Sequence, residues 1–164
     1  MKNCRLLVPA LAALLLSGCG QKNSSASTDA GTPAPAAGPR VVEITANDTM
    51  KYSLTEIDAK PGEQLDIVLT NIGTVAKEIM GHDWVLLKAG SDPAAFAAAA
   101  TQAKATDYVP ASLKDEIIAQ IPLLGPRKSG DVTFNAPTTP GQYTFLCTFP
   151  AHFQTGMHGV LVVK

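Results

Sequence analysis

This 164-residue chain has little cysteine, little histidine and almost no charge bias. It holds three Cys and three His, and 13 basic side chains against 14 acidic ones leave a net charge of −1. No basic run breaks that balance, which removes the electrostatic case for a nucleic acid or any other polyanion. Two of the cysteines, Cys4 and Cys19, fall in the N-terminal segment. Cys147 is then alone in the rest of the chain, and a disulfide framework is excluded there. Three His in total cannot equip a second, imidazole-rich metal site beside a first. No apolar run reaches the roughly 20 residues of a membrane-spanning helix, and Leu6 to Leu16 is about half of that. There is no internal repeat. Apolar residues still make up 46% of the chain, so a real core can form.

The N-terminal segment reads MKNCRLLVPALAALLLSGC. Lys2 and Arg5 precede the short apolar run, and small residues follow it, which is the pattern of an export signal over residues 1–18. Leu16-Ser17-Gly18-Cys19 resembles the lipobox of bacterial lipoproteins. That resemblance implies a lipidated Cys19 as the first mature residue, and several acyl chains anchor far more firmly than one. Residues 20–39 contain no large apolar side chain. They are expected to stay disordered, as a tether of about 25 Å r.m.s. reach. The expected location is the extracytoplasmic or periplasmic face of a bacterial membrane. Gly20 follows Cys19, so no Asp retention signal is visible there.

Residues 40–164 form the expected folded domain. Val42, Ile44 and Ala46 alternate with polar neighbours, as do Leu65, Ile67 and Leu69, then Tyr143, Phe145 and Cys147, then Leu161 and Val163. Period two means strands with one buried face. Lys60-Pro61-Gly62-Glu63 and Thr139-Pro140-Gly141-Gln142 mark turns between them. The expectation is an all-β antiparallel sandwich. A helical insertion is expected around residues 91–120. Asp92-Pro93 opens an Ala-rich helix, and Ser112 with Asp115 reads as the cap of a second one running into Ile117 and Ile118. Pro122 and Gly125 then turn the chain back toward a strand at 131–134.

Against this scarcity, TFLCTFPAHFQTGMHG gathers one Cys, two His and one Met. Cys147, His152 and Met157 are spaced by five and five, and His82 lies upstream in a loop expected to leave a strand. One thiolate, two imidazoles and a thioether form a soft, mixed donor set that suits a blue copper centre. Structural zinc more often takes four Cys or His ligands. Taken singly, each residue has a plainer role as a packing group.

The motifs Cys-Thr-Phe-Pro-x-His (Cys147 to His152) and Met-Gly-His-x-Trp-Val-Leu (Met80 to Leu86) resemble the azurin and auracyanin branch of the cupredoxins. The resemblance runs over residues 41–164 and implies an eight-stranded Greek-key β-sandwich with one type 1 copper per chain. It implies Cys147 as thiolate ligand, His82 and His152 as imidazole ligands, Met157 as axial thioether, and the Gly81 carbonyl facing the metal from the other axial side. Trp84 and Phe149 are expected to pack beside the site, and His158 to lie on the surface.

The chain departs from azurins in three ways. His152 to Met157 takes five steps, as in auracyanins, where azurins take four, and Gly156 is the extra residue. The Gly81 carbonyl contact is open for that reason. The domain lacks the azurin disulfide. Asp83 stands where azurins have Asn, and Thr148 is the expected donor to it.

The implied function is one-electron transfer between redox protein donors and acceptors, with copper cycling between Cu(I) and Cu(II). No small-molecule substrate and no enzymatic activity are expected. Docking is expected around the His152 ring edge, within an apolar patch of Met80, Pro150, Ala151 and Phe153. A second reading is a periplasmic copper carrier or buffer, for which the chain lacks a Met-rich tract. A copper nitrite reductase needs further His ligands. A dinuclear copper site needs two Cys on the ligand loop, and a Cys–His nucleophile needs a substrate cleft.

Overall fold

In a computed structural model, residues 38–164 are described. The signal sequence, Cys19 and most of the tether lie outside the described residues. Nine strands build two sheets: β1 (Arg40–Asn47), β2 (Lys51–Tyr52), β3 (Glu56–Ala59), β4 (Gln64–Asn71), β5 (His82–Leu87), β6 (Ile117–Leu124), β7 (Ser129–Asn135), β8 (Gly141–Leu146) and β9 (His158–Val163). One sheet has the order β2-β1-β4-β7 and the other β3-β9-β8-β5-β6. The eight longer strands make the expected sandwich, and the two-residue β2 adds to the end of β1. Two pairings are parallel: β1 with β4, Val42 opposite Ile67, and β3 with β9, Ile57 opposite Leu161.

Alternation fills the space between the sheets. Val42, Ile44 and Ala46 of β1 and Leu65, Ile67 and Leu69 of β4 face Tyr143, Phe145, Leu161 and Val163 of the other sheet. Strand β5 breaks the pattern, because all six of its residues are buried. Trp84 and Leu86 point into the sandwich, while Val85 and Leu87 pack with Phe96 and Ala97 of helix α2 (Pro93–Ala100). The helix covers the outer face of the strand, and a strand buried on both faces reads as a continuous apolar run. Helix α2 starts as expected. Pro93 occupies its first turn, and Asp92 Oδ1 accepts from the Ala94 and Ala95 amides at 2.9 and 3.1 Å.

The second expected helix is a correction. Residues Ala111–Glu116 form only a short 3₁₀ turn with no side-chain cap, and strand β6 begins at Ile117. The paired Ser112 and Asp115 imitate a helix start, but Ile117 and Ile118 are β-branched. The open edge of β5 offers them a ladder, Trp84 opposite Ile121 and Leu86 opposite Ala119, so tertiary pairing overrides the local signal. Pro122 is accommodated because β6 is an edge strand. The segment before His82 also differs from the expected loop. Residues Lys77–Met80 make a single helical turn, α1, closed by the Met80 amide donating to the Ala76 carbonyl at 2.9 Å.

Candidate metal centre

Two parts of the fold meet at one end of the sandwich. His82 is the first residue of β5, placed by the turn of α1 and by Gly81. Gly81 is needed for space and not for a special dihedral. Its φ is −69°, but a Cβ there would lie 2.7 Å from the Lys77 carbonyl oxygen and 2.9 Å from Leu123 Cγ. Behind it, buried Asn71 ties β4 to β6 by donating from Nδ2 to the Leu124 carbonyl at 3.2 Å.

Cys147, His152 and Met157 come from the connection between β8 and β9, which is closed by its own backbone. The Cys147 amide donates to the Met157 carbonyl at 3.1 Å, and the Met157 amide donates to the His152 carbonyl at 3.0 Å. The His152 amide donates to Phe149 at 3.1 Å, Thr155 to Ala151 at 3.1 Å and Gly156 to Phe153 at 2.9 Å. The winding uses two left-handed residues, Gly156 at φ 91° and Ala151 at φ 71°. For alanine this conformation costs about 1–2 kcal/mol.

The ligand atoms of His82, Cys147 and His152 all lie within 4.8 Å of one another. Metal bonds of about 2.0–2.3 Å place a nitrogen and a sulfur ligand of one ion up to about 4.4 Å apart, so the opening has the scale of a single ion's shell. Cys147 Sγ and His152 Nδ1 face each other at 3.3 Å, and the two imidazole rings are 4.9 Å apart between centroids. All three residues are buried, as is Met157.

The decisive observation is His82. Both its ring nitrogens are buried without a hydrogen-bond partner. An unpaired buried polar group is costly, and a metal ion relieves that cost. The Asn47 backbone lies on the ring's side without reaching hydrogen-bond geometry. Burial lowers the His82 pKa, with Asn47 and Asp48 pulling the other way. Burial, helped by the neighbouring His82, brings His152 down to about 4. Both rings are therefore neutral near neutral pH, the form that donates a lone pair to a metal. Burial, and then the charge of Asp83, push the Cys147 thiol well up. A bare thiolate is thus disfavoured, and binding a cation would displace the proton.

Asp83 links the two parts. Its Oδ1 accepts from the Thr148 amide at 2.7 Å and its Oδ2 from the Thr148 hydroxyl. Thr148 is the donor expected from the sequence. Burial raises Asp83 to about 6 against the lowering effect of those bonds. The Asp83 backbone carbonyl accepts from the Tyr52 hydroxyl, a contact across 31 residues that no local spacing announces. Phe149 packs beside the site as expected, its ring tilted against His152 with the centroids 4.7 Å apart. Its other neighbour, Tyr108 from the inserted segment, meets it edge-on at 5.0 Å and carries no signal in the sequence. Trp84 packs between Phe145 and Phe134, and His158 is exposed, as expected.

The residues expected to form a docking patch differ in exposure. His152 is only 2% exposed. Phe153 is half-buried against the Val85, Phe96 and Leu146 cluster and stacks on His158 at 4.9 Å. Ala151 is exposed, Pro150 and Met80 are half-buried, and Ile79, three residues before His82, is 66% exposed.

Comparison with known proteins agrees with this geometry. Residues 40–164 match the family model described as copper binding proteins, plastocyanin/azurin family. The chain is 35% identical over 113 residues to azurin of Achromobacter denitrificans, covering 67% of this chain and 75% of the relative. It is 35% identical over 130 residues to auracyanin-A of Chloroflexus aurantiacus, covering 77% and 76%. Among solved structures, a dithionite-reduced auracyanin from Roseiflexus castenholzii superposes with a TM-score of 0.67 at 36% identity, covering 76% of this chain and 96% of that one. With a sandwich of this topology, three buried soft donors at one end and a match across the whole folded domain, the chain belongs to the plastocyanin/azurin family of copper-binding proteins.

Proposed function

We propose that the protein is a one-electron carrier held at a membrane by a lipidated Cys19, with His82, Cys147 and His152 as strong copper ligands and Met157 as a weak axial one. The observation that carries the reading is the His82 imidazole, buried with both nitrogens unpaired beside a buried thiol and a second neutral imidazole. Bound there, copper would supply a one-electron couple between Cu(I) and Cu(II). The protein's part is to keep the donors from moving. The ligand loop is fastened by its own amides, Asp83 ties that loop to β5, and burial keeps water out. The Gly81 carbonyl belongs to the same proposal as an outer axial contact. Electrons would enter beside His152 through a patch centred on Ile79 and Ala151, in place of Phe153. Small, weak interfaces suit such encounters.

The two larger clefts, of ≈ 690 and ≈ 420 Å³, are lined by residues such as Arg40, Leu54 and Lys164, or Thr106, Pro110 and Lys114, and by none of the four proposed ligands. Titrating the metal-free protein with Cu(II) tests the reading. The expected result is an intense blue charge-transfer band with a narrow copper hyperfine splitting in EPR. Tight Cu(I) binding with a colourless oxidised state would support a copper carrier or buffer instead. Export and anchoring are tested by Cys19→Ala, which should abolish lipid labelling and release the protein from the membrane fraction.

A further inference from the structure

Between His152 and Met157 the ligand loop is closed partly by its own amides and partly by a side chain from a distant strand. The His152 carbonyl accepts from the Met157 amide at 3.0 Å and from the Thr155 hydroxyl at 2.8 Å. The Ala151, Phe153 and Phe149 carbonyls each accept from a loop amide. The Thr155 carbonyl is reached by no loop amide and accepts from Lys51 Nζ, 104 residues away in sequence. The next residue is Gly156 at φ 91°, and a Cβ on it would stand 2.9 Å from that same ammonium. Glycine at 156 therefore serves two ends. It permits the left-handed turn that takes up the extra residue, and it leaves the space in which the ammonium sits.

Lys51 is exposed, but its backbone is held by the turn that precedes it. It lies at the start of β2, just after a tight turn in which Met50 is left-handed at φ 57°. That turn is fixed by the Met50 amide donating to the Asn47 carbonyl at 3.0 Å, and by the Asn47 side chain accepting from the Thr49 amide at 3.0 Å. Met50 reaches the same residue, with its sulfur 3.8 Å from the Thr155 hydroxyl. Tyr52, on the other side, holds the Asp83 carbonyl. Three consecutive residues of one hairpin thus contact both ligand-bearing segments. The acceptor for Lys51 is a backbone carbonyl and not a mobile carboxylate, so the contact fixes a peptide plane as well as a charge. Hydrogen bonds with a charged partner are about twice as strong as neutral ones.

We infer that Lys51 is a positioning residue for the Met157 end of the ligand loop. It pins the Thr155–Gly156 peptide and so sets where the longer loop delivers Met157. The consequence for copper rests on the proposal that Met157 is the axial donor, whereas the pinning itself does not.

The test uses the full chain, first without metal, as wild type, Lys51→Met and Lys51→Arg. Amide hydrogen exchange is read at Gly156 and Met157, with Val85 and Leu161 as references in the sheets. Losing one charge-assisted bond should speed exchange at Gly156 and Met157 by about tenfold. The references should stay unchanged, and Lys51→Arg, which keeps a cationic donor, should restore most of the protection. Unchanged exchange at Met157 in Lys51→Met overturns the inference, and so does an equal acceleration at the reference amides. The Cu(II)-loaded proteins are then compared by EPR. A changed spectrum for Lys51→Met with a wild-type spectrum for Lys51→Arg supports the same role at the metal. If Met157 is not a ligand, Met157→Leu leaves the potential unchanged while the exchange result stands, so the two ideas fail separately.

Discussion

His82 and the loop bearing Cys147, His152 and Met157 reach the same point by different means. His82 is placed by the scaffold. It starts a strand buried on both faces, behind a glycine too crowded for a methyl group, beside a buried Asn71 that ties β4 to β6. The loop is placed by itself, through amides that close on its own carbonyls, with one outside ammonium and one outside carboxylate as fasteners. Each proposed ligand is therefore vulnerable in its own way. His82 should respond to packing changes anywhere around α1 and β6. The loop ligands should respond to backbone chemistry within a few residues.

The greatest loss should come from removing the loop's thiolate. Cys147→Ser replaces a soft thiolate by a hard hydroxyl. It should abolish the blue band completely while far-UV circular dichroism stays that of a sandwich, because no strand register runs through the metal. A variant that stays intensely blue would falsify Cys147 as the thiolate ligand.

Next come the two breaks of the scaffold side. Gly81→Ala forces a Cβ against the Lys77 carbonyl and Leu123. It should cost about 1–3 kcal/mol in chemical denaturation of the metal-free protein, as overpacking does, and weaken copper binding by moving His82. Asp83→Ala cuts the tie between scaffold and loop and leaves the Thr148 amide and hydroxyl unpaired. It should cost about 1–3 kcal/mol, whereas Asp83→Asn, which keeps an acceptor, should cost clearly less. Equal losses for Ala and Asn would show that the tie depends on charge and not on accepting those bonds.

Met157 is the weakest of the proposed ligands, so replacing it should tune the potential and leave the metal bound. Met157→Leu removes a donor that favours Cu(II) and makes the site more apolar, so the reduction potential should rise. Met157→Gln should lower it. Voltammetry that gives the order Leu above Met above Gln supports the axial role, and equal potentials remove it.

The smallest expected effect belongs to Ala151. Ala151→Gly relieves a left-handed alanine, about 1–2 kcal/mol, and loosens the unfolded chain, about 0.5–1 kcal/mol in the opposite sense. A net gain of up to about 1.5 kcal/mol in the metal-free protein is expected. A loss would mean that the loop holds Ala151 for its side-chain contacts.

The two parts are also unequally legible in the amino-acid sequence. The loop announces itself, because three scarce residue types at fixed spacing on one short segment is a local pattern. The β strands are equally local, since Val42, Ile44 and Ala46 or Leu65, Ile67 and Leu69 alternate in plain sight. The scaffold side is harder. Strand β6 is hidden by a capping-like Ser112 and Asp115, and only the free edge of β5 decides that Ile117–Leu124 is extended. The helical turn before His82 has no capping side chain to signal it. Tyr52 and Lys51 act across 31 and 104 residues, and their contacts exist only once the hairpin is folded over the loop. Phe153 reads as surface because it neighbours a ligand, but the cluster built around α2 draws it inward.

The parallel pairing of β3 with β9 has a consequence in time. Strand β3 precedes all the metal ligands, yet its partner is the last strand, made only after the ligand loop. A ribosome or an export channel releases the chain from its N-terminus, so the second sheet stays open along β9 until that strand has emerged. Until then the Cys147 thiol has no closed loop around it, because the Met157 carbonyl that accepts its amide lies just ahead of β9. Synthesis order thus makes completion of the barrier to solvent and assembly of the copper pocket one late event, and a chain that is truncated or stalled before β9 would carry its ligands unassembled.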